Sequence, residues 1–240
     1  MIDWLRRRVL AGGLVAACVA SAWAASPPES TLAKALAAVA PALDREVLQM
    51  AVSAMQCATA GGASPARHLA VIDYSLPSSQ SRLWVFDLQA RTLVYRERVA
   101  HGRNSGEHLA TRFSNQTDSH QSSLGLFRTD QAYFGRNGYS LRLDGLEPGI
   151  NDRARERAIV VHGAPYVDAQ WAARHGRIGR SHGCPAVRSG IAHNLIDLLK
   201  NGQFVFSYYP DRAWLASSTY LNCAARPVTA GSPPGSPDSG

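Results

Sequence analysis

The sequence predicts a mainly β fold with an N-terminal helical extension and a few short helices. From position 69 onward the apolar residues fall in runs of four or five, rich in Val, Ile, Leu, Phe and Trp and bounded by turn-forming residues. Residues 31–58, in contrast, are Ala-rich with apolar residues at roughly helical spacing. The chain has 240 residues, 45% hydrophobic and 18% charged, which is an ordinary globular composition and excludes wholesale disorder.

Taken in order, the helical stretch 31–58 is interrupted by Pro41. Proline suits a first helical turn and breaks an interior, so two helices meeting at Ala40-Pro41 are expected. Leu43, Val47, Met50 and Met55 mark a buried stripe in which the methionines fill the core. Short strands are predicted over 69–73, 83–87 and 92–95. A further strand over 140–143 leads to a turn at Asp144-Gly145, and one over 158–161 runs straight into His162. A helix is predicted from Ser189, as N-cap, to Lys200, with Ile191, Leu195 and Leu199 on one face and Asn201-Gly202 as its stop. A last strand covers 204–208. The tail 227–240 is Pro/Gly/Ser-rich and is expected to lack fixed structure. The expected organisation is 1–24 as an export signal, 25–64 as the helical extension, 65–226 as one domain and 227–240 as the tail.

The signal reading comes from Arg6, Arg7 and Arg8, an apolar run over 9–20, and the small-x-small site Ala22-Trp23-Ala24. That apolar run is shorter than the roughly 20 residues a membrane helix needs. Arg6-Arg7-Arg8-Val9-Leu10 also resembles a twin-arginine signal. Val15-Ala16-Ala17-Cys18 resembles a lipoprotein box with Cys18 as the lipidated residue. Membrane contact is therefore expected only through the signal or a lipid anchor, and the location is expected to be periplasmic. Removing 1–24 takes away three arginines and Asp3, which lowers the net charge from +7 to +5. A basic exported protein suits an anionic partner; nucleic acid is not expected, because no nucleic-acid motif appears.

Four cysteines are present: Cys18, Cys57, Cys184 and Cys223. Without Cys18 the count is odd, so in an oxidising compartment one thiol stays unpaired or pairs between molecules. Pairing Cys57 with Cys223 and leaving Cys184 free is the economical solution, but spacing does not fix connectivity and the other pairings stay open. The surroundings of Cys184 are distinctive. His162-Gly163, His175-Gly176 and Ser181-His182-Gly183-Cys184 lie close together in sequence with Arg174, Arg177, Arg180 and Arg188. A reactive cysteine acts as its thiolate, which nearby cations favour, and a histidine that accepts the thiol proton completes the pair. His162, at the end of a strand, is the candidate base. Gly183 lets backbone N–H groups approach a developing oxyanion, and because Pro185 has no N–H the donors must come from Cys184 or before it. The competing readings are a structural cysteine acting as a small buried hydrophobe, and a zinc site built from His162, His175, His182 and Cys184. The second lacks the paired close spacing of structural zinc ligands.

Val161-His162-Gly163-Ala164-Pro165-Tyr166, followed by Ser181-His182-Gly183-Cys184-Pro185-Ala186-Val187, resembles the catalytic segment of L,D-transpeptidases of the YkuD-like superfamily. Phe113-Ser114-Asn115, Ser122-Ser123-Leu124-Gly125, the run 141–147 and Asn151-Asp152 resemble the branch called murein L,D-transpeptidase catalytic domain proteins. The resemblance covers roughly 69–208. It implies a β-rich fold presenting a Cys/His site in a cleft, with no metal or organic cofactor and with peptidoglycan stem peptides as partner. Cys184 would be the nucleophile and His162 the general base, with the Gly163 carbonyl holding the imidazole. His182 would line the site, and Ser181 and Gly183 would shape the turn and oxyanion pocket. Many members carry Arg or Asn two residues after the cysteine, where this chain has Ala186; Arg180 or Arg188 are the candidates to supply that contact. A monomeric peptidoglycan L,D-transpeptidase forming cross-links through a cysteine acyl-enzyme is the expected function. The alternatives are an L,D-carboxypeptidase using water as acceptor and a non-catalytic wall-binding protein.

Overall fold

A computed structural model describes residues 30–223; the predicted signal, Cys18 and the tail 227–240 lie outside the described residues. Two helices come first, α1 (Thr31–Val39) and α2 (Arg45–Ala60). The Ser30 hydroxyl caps α1 by accepting the Ala33 N–H at 3.0 Å. The Asp44 carboxylate caps α2 by accepting the N–H groups of Glu46 and Val47 at 2.8 and 3.2 Å. Each such cap is worth about 1 kcal/mol. Pro41 falls in the break between the two helices, where its missing N–H disturbs neither. On α2 the face Val47, Leu48, Ala51, Val52 and Met55 is buried, and both helices join the main apolar core rather than standing beside it.

Eight strands form one sheet: β1 (His68–Asp73), β2 (Leu83–Asp87), β3 (Thr92–Glu97), β4 (Gly125–Gly135), β5 (Gly138–Gly145), β6 (Val160–Ala164), β7 (Ala186–Arg188) and β8 (Phe204–Tyr208). Their order is β3-β2-β1-β8-β4-β5-β6-β7. Two isolated bridges, Ala100 to Ala186 and Gly102 to Ser181, tie the chain just past β3 to β7 and its approach, so the sheet curls until its edges nearly meet. Three more helices complete the fold, α3 (Ala169–His175), α4 (Ser189–Leu199) and α5 (Arg212–Ser217). Strands β1 and β2 are buried along their whole length, which is why their sequences read as continuous apolar runs. Ala70 and Ile72 of β1 line a small apolar cavity with Leu195 and Leu199, placing α4 against that face. β3, near one edge, is partly exposed throughout.

The mainly β fold class with helices at the N-terminus is what the sequence predicts, and several local details differ. β4, the longest strand, was not expected; Arg128, Asp130 and Gln131 break its apolar pattern, and its outer half projects with β5 as a hairpin. β7, α3 and α5 are short and also carry little periodicity. β6 begins at Val160 rather than 158, because Ala158 takes a left-handed backbone (φ 51°). His162 therefore sits inside β6 rather than just past a strand. At α4 the cap is Arg188, whose extended backbone precedes a helix starting at Ser189, so the expected Ser189 cap is displaced by one residue and no side chain caps the end.

The turn after β5 is locked by two buried polar side chains. Glu147 accepts the Leu126 N–H at 2.8 Å and the Trp214 indole N–H at 3.1 Å. The Asn151 amide donates to the carbonyls of Leu124 and Leu126, while its oxygen accepts the Glu147 N–H. These contacts join β4, the turn and α5.

Cys57 on α2 is disulfide-bonded to Cys223 beyond α5, with their Cα atoms 6.0 Å apart, and Cys184 is the free cysteine among the described residues. The bridge closes a loop of sequence separation 166. Cys57→Ser is expected to lower stability by about 2–4 kcal/mol, chiefly by releasing the unfolded chain. Thermal unfolding with and without reductant should show that loss in the native protein and no further loss on reduction in the variant.

Candidate active site

The site is assembled by one parallel strand pairing. β6 and β7 run side by side with His162 opposite Ala186 and Gly163 opposite Val187, so the turn leading into β7 lies next to the His162 strand. That turn closes on itself. The Ser181 hydroxyl donates to the Cys184 carbonyl at 2.6 Å and accepts the Gly183 N–H at 3.1 Å. It is anchored from outside by the Ser181 N–H donating to the His101 carbonyl at 3.0 Å, and by the Arg103 N–H donating to the Ser181 carbonyl at 2.8 Å. Gly183 has φ 120°, a conformation open to glycine, and a Cβ there would stand 2.8 Å from the Gln121 carbonyl oxygen. Gly102 presses on the same turn: a Cβ on it would meet the Gly183 Cα at 2.9 Å. Three backbone segments thus meet where two of them lack a side chain.

Cys184 and His162 are both buried. The His162 Nδ1 lies 3.0 Å from the Gly163 carbonyl oxygen. Only a protonated nitrogen can bond a carbonyl, so this contact assigns the Nδ1–H tautomer and leaves the Nε2 lone pair free. The Cys184 thiol donates to the Ala158 carbonyl, with Sγ 3.6 Å from that oxygen, and makes no hydrogen bond to His162. Burial pushes the Cys184 thiol up from its ordinary value, opposed by the Val160 N–H and by the Arg157 guanidinium. Burial holds His162 below the ordinary histidine range, opposed by the Gly163 carbonyl. Both shifts favour uncharged forms, so the resting pair is thiol and neutral imidazole. Of the backbone donors in the turn, the Gly183 N–H is committed to Ser181, while the Cys184 N–H has no acceptor elsewhere among the described residues.

A family model described as the L,D-transpeptidase catalytic domain matches residues 39–208. The chain belongs to that family. Among solved structures it is similar to an L,D-transpeptidase from Mycobacterium smegmatis at 14% identity, covering 60% of this chain and 59% of that one, with a TM-score of 0.38. It is likewise similar to an L,D-transpeptidase from Stackebrandtia nassauensis at 13% identity, covering 75% and 77%, with a TM-score of 0.36. A third is an L,D-transpeptidase from Mycobacterium tuberculosis H37Rv at 16% identity, covering 60% and 58%, with a TM-score of 0.35. The chain thus spans less than two thirds of the first of these. No curated protein matches the sequence significantly.

The remaining sequence-predicted residues of this L,D-transpeptidase domain divide sharply. His182 is exposed at the turn, its ring 4.6 Å from that of His120, and partial desolvation followed by the charges of Arg103, His120 and Arg136 lowers its pKa. His175 points elsewhere, its ring stacked on Trp171 at the end of α3. Arg188 is drawn to Glu97 on β3 by paired bonds of 2.7 and 3.0 Å. Arg180 is held by Glu107 and by the carbonyls of Arg103 and Gly106. Neither arginine hydrogen-bonds to Cys184 or His162. Ala186, where the resemblance implies a polar residue, is fully buried in a small cluster with Ala100, Ala164, Val167, Ala172 and Ile178. A long polar side chain has no room there, and none is needed to hold β7, because the Ala186 carbonyl accepts the Ala100 N–H at 2.8 Å. Among the described residues no group of three or more His, Cys, Asp or Glu is placed to hold a metal.

Two supporting residues escaped the sequence reading. Arg82 is fully buried, donating to the carbonyls of Leu76 and Val99 and, at 2.7 Å, to the His101 Nδ1. Burial and the Arg82 charge push His101 down to about 3, so it stays neutral, accepts from Arg82 and donates through Nε2 to the Gly106 carbonyl. This network lies beneath the His101 carbonyl that anchors Ser181. The other residue is Arg157, which approaches the cysteine turn directly. Neither has a sequence signature, since the partners of both are mostly backbone carbonyls and hydroxyls.

Gly183→Ala should lose about 1–3 kcal/mol and most Cys184 reactivity, because the added methyl group meets both a strained φ and the Gln121 carbonyl. Thermal unfolding and thiol alkylation read the two effects. In the native protein the alkylation rate of Cys184 should climb with pH through a midpoint above the ordinary thiol value. The raised pKa means thiolate forms only as pH passes it; a plateau already reached at neutral pH would contradict the neutral resting pair.

Proposed function

We propose that the protein is an exported peptidoglycan L,D-transpeptidase that acts through a Cys184 acyl-enzyme, with His162 as general base. The observation that carries this reading is the free Nε2 lone pair of His162, fixed by the Gly163 carbonyl on the strand beside Cys184, within a domain of the L,D-transpeptidase family. A neutral imidazole is what a general base requires, and burial keeps His162 in that form at neutral pH.

Cys184 Sγ attacks the carbonyl carbon of the third, L-configured stem residue, and the thiol proton passes to His162 Nε2. The carbonyl oxygen becomes an oxyanion facing the Cys184 N–H. Collapse breaks the C–N bond, and His162 returns the proton to the departing D-amino acid, leaving a thioester on Cys184. An amine from a second stem, its proton taken by His162, attacks the thioester; a new amide forms and the thiol is restored. Ser181 holds the turn and His182 stands at its exposed edge to meet substrate. The net basic charge suits a carboxylate-rich wall polymer. The Cys57–Cys223 disulfide beside a free Cys184 fits a periplasmic protein, in agreement with the signal read in the sequence.

Incubation with tetrapeptide-stem muropeptides, followed by mass spectrometry, tests the proposal. Cross-linked dimers are expected from the native protein and none from Cys184→Ala. Trimmed tripeptides without dimers would make water the acceptor, and dimers formed equally well by the alanine variant would end the mechanism. His162→Gln is expected to reduce turnover by at least about a hundredfold with the fold intact by circular dichroism.

A further inference from the structure

Three arginines alternate just before β6, and their fates differ. Arg153 pairs with Glu156, and Arg155 with Asp130 and Asp144. Arg157 has no carboxylate partner among the described residues. Its Nη1 donates to the Ser114 carbonyl at 2.6 Å and to the Ser123 hydroxyl. Its Nη2 donates to the Gln121 carbonyl at 2.7 Å and to the Ser119 hydroxyl at 3.1 Å. All four acceptors are neutral, so the positive charge is left uncompensated in a partly buried place.

That place adjoins the cysteine turn. Nη2 lies 3.5 Å from where a Cβ on Gly183 would stand, one residue before Cys184. The Gln121 carbonyl that Arg157 grips is the same oxygen that a Cβ on Gly183 would meet at 2.8 Å. Between them the Ser122 hydroxyl donates to the Gly183 carbonyl at 3.2 Å and accepts the Gly102 N–H at 3.0 Å. The residue after Arg157 is the left-handed Ala158, whose carbonyl receives the Cys184 thiol.

We propose that Arg157 is a positioning residue for Cys184, clamping the 114–123 loop onto the cysteine turn and supplying the positive potential in which the thiolate is stabilised. The inference rests on the reading of Cys184 as nucleophile. Lower solvent screening in a partly buried setting makes one unpaired cation effective on a neighbouring thiolate. The mutual influence of the two groups agrees: Arg157 favours the ionised thiol, and Cys184 favours the charged guanidinium. Burial opposes ionisation of Cys184 most strongly, and Arg157 offsets part of that effect.

The test is the pH profile of Cys184 alkylation by iodoacetamide, read by mass spectrometry on the Cys184 peptide of the full exported protein. Arg157→Gln should move the midpoint up by about half to one pH unit, which is roughly a three- to tenfold loss of thiolate below it. Arg157→Lys, which keeps the charge, should stay much closer to the native midpoint. Ser119→Asp leaves Arg157 in place and sets a carboxylate against Nη2, so it should shift the midpoint in the same direction even if Arg157→Gln fails to fold. Native-like profiles in the folded Gln variant and in Ser119→Asp would overturn the proposal. Failure of the native protein to process muropeptides would instead end the transpeptidase reading, and the thiol titration would not report that failure.

Discussion

The parallel pairing of β6 with β7 is the constraint on which the rest of the site depends. Parallel neighbours need a long crossover, and here the crossover carries α3 and the turn that ends in Cys184. Because His162 stands opposite Ala186, the turn immediately before β7 is delivered alongside His162 without any direct bond between the two side chains. The near closure of the sheet serves the same end. Bridges from Ala100 and Gly102 hold β7 and the turn from the other side, so the cysteine segment is flanked on both edges and not left as a free sheet margin. A small residue at 186 is part of this arrangement, since β7 can seat between β6 and residue 100 only if its inward side chain fits among alanines, Val167 and Ile178.

Burial of Cys184 and His162 has a chemical consequence. A thiol and an imidazole that both favour their neutral forms do not rest as an ion pair; in the proposed reaction the proton would move when the carbonyl is attacked. Thiolate character is also what makes a cysteine prone to oxidation. For a protein exported as proposed, a buried protonated Cys184 can persist as a free thiol, while Cys57 and Cys223 take the disulfide. The penalty that burial sets on the thiolate is offset in part by the Val160 N–H, the Arg157 guanidinium and the Cys184 N–H.

The sequence made the fold legible where burial is simple. β1, β2 and β8 are covered along most of their length and read as unbroken apolar runs, whereas half of β4 lies in a projecting hairpin with polar residues and gives no such pattern. Cys184, His162 and the Ser181–Gly183 turn could be singled out because the proposed chemistry calls for particular residue types at close range. Arg180 and Arg188 were singled out because they are near Cys184 along the chain, but their side chains are claimed by Glu107 and Glu97. Arg157, farther away in sequence, lies beside the turn because β6 brings it there. Adjacency in the fold, set by register, is the quantity that composition and motif spacing do not contain.

The upstream motifs gain a physical meaning from the same contacts. Ser114, Ser122 and Ser123 surround the Arg157 guanidinium or the Gly183 carbonyl, and Asn115 bonds to Asp152 and to the Arg153 N–H. These are mostly bonds to backbone or between neutral groups, so they fix position while adding little charge. The chemical form of the cation then follows. Two backbone carbonyls and two hydroxyls around one partly buried centre call for a planar donor with several N–H groups at fixed angles. A lysine ammonium has three donors on a flexible stem and would leave at least one of the four acceptors without its bond. Arginine meets both requirements at once: four directed bonds to hold the loop, and a permanent charge that its neutral partners leave uncompensated beside the cysteine turn.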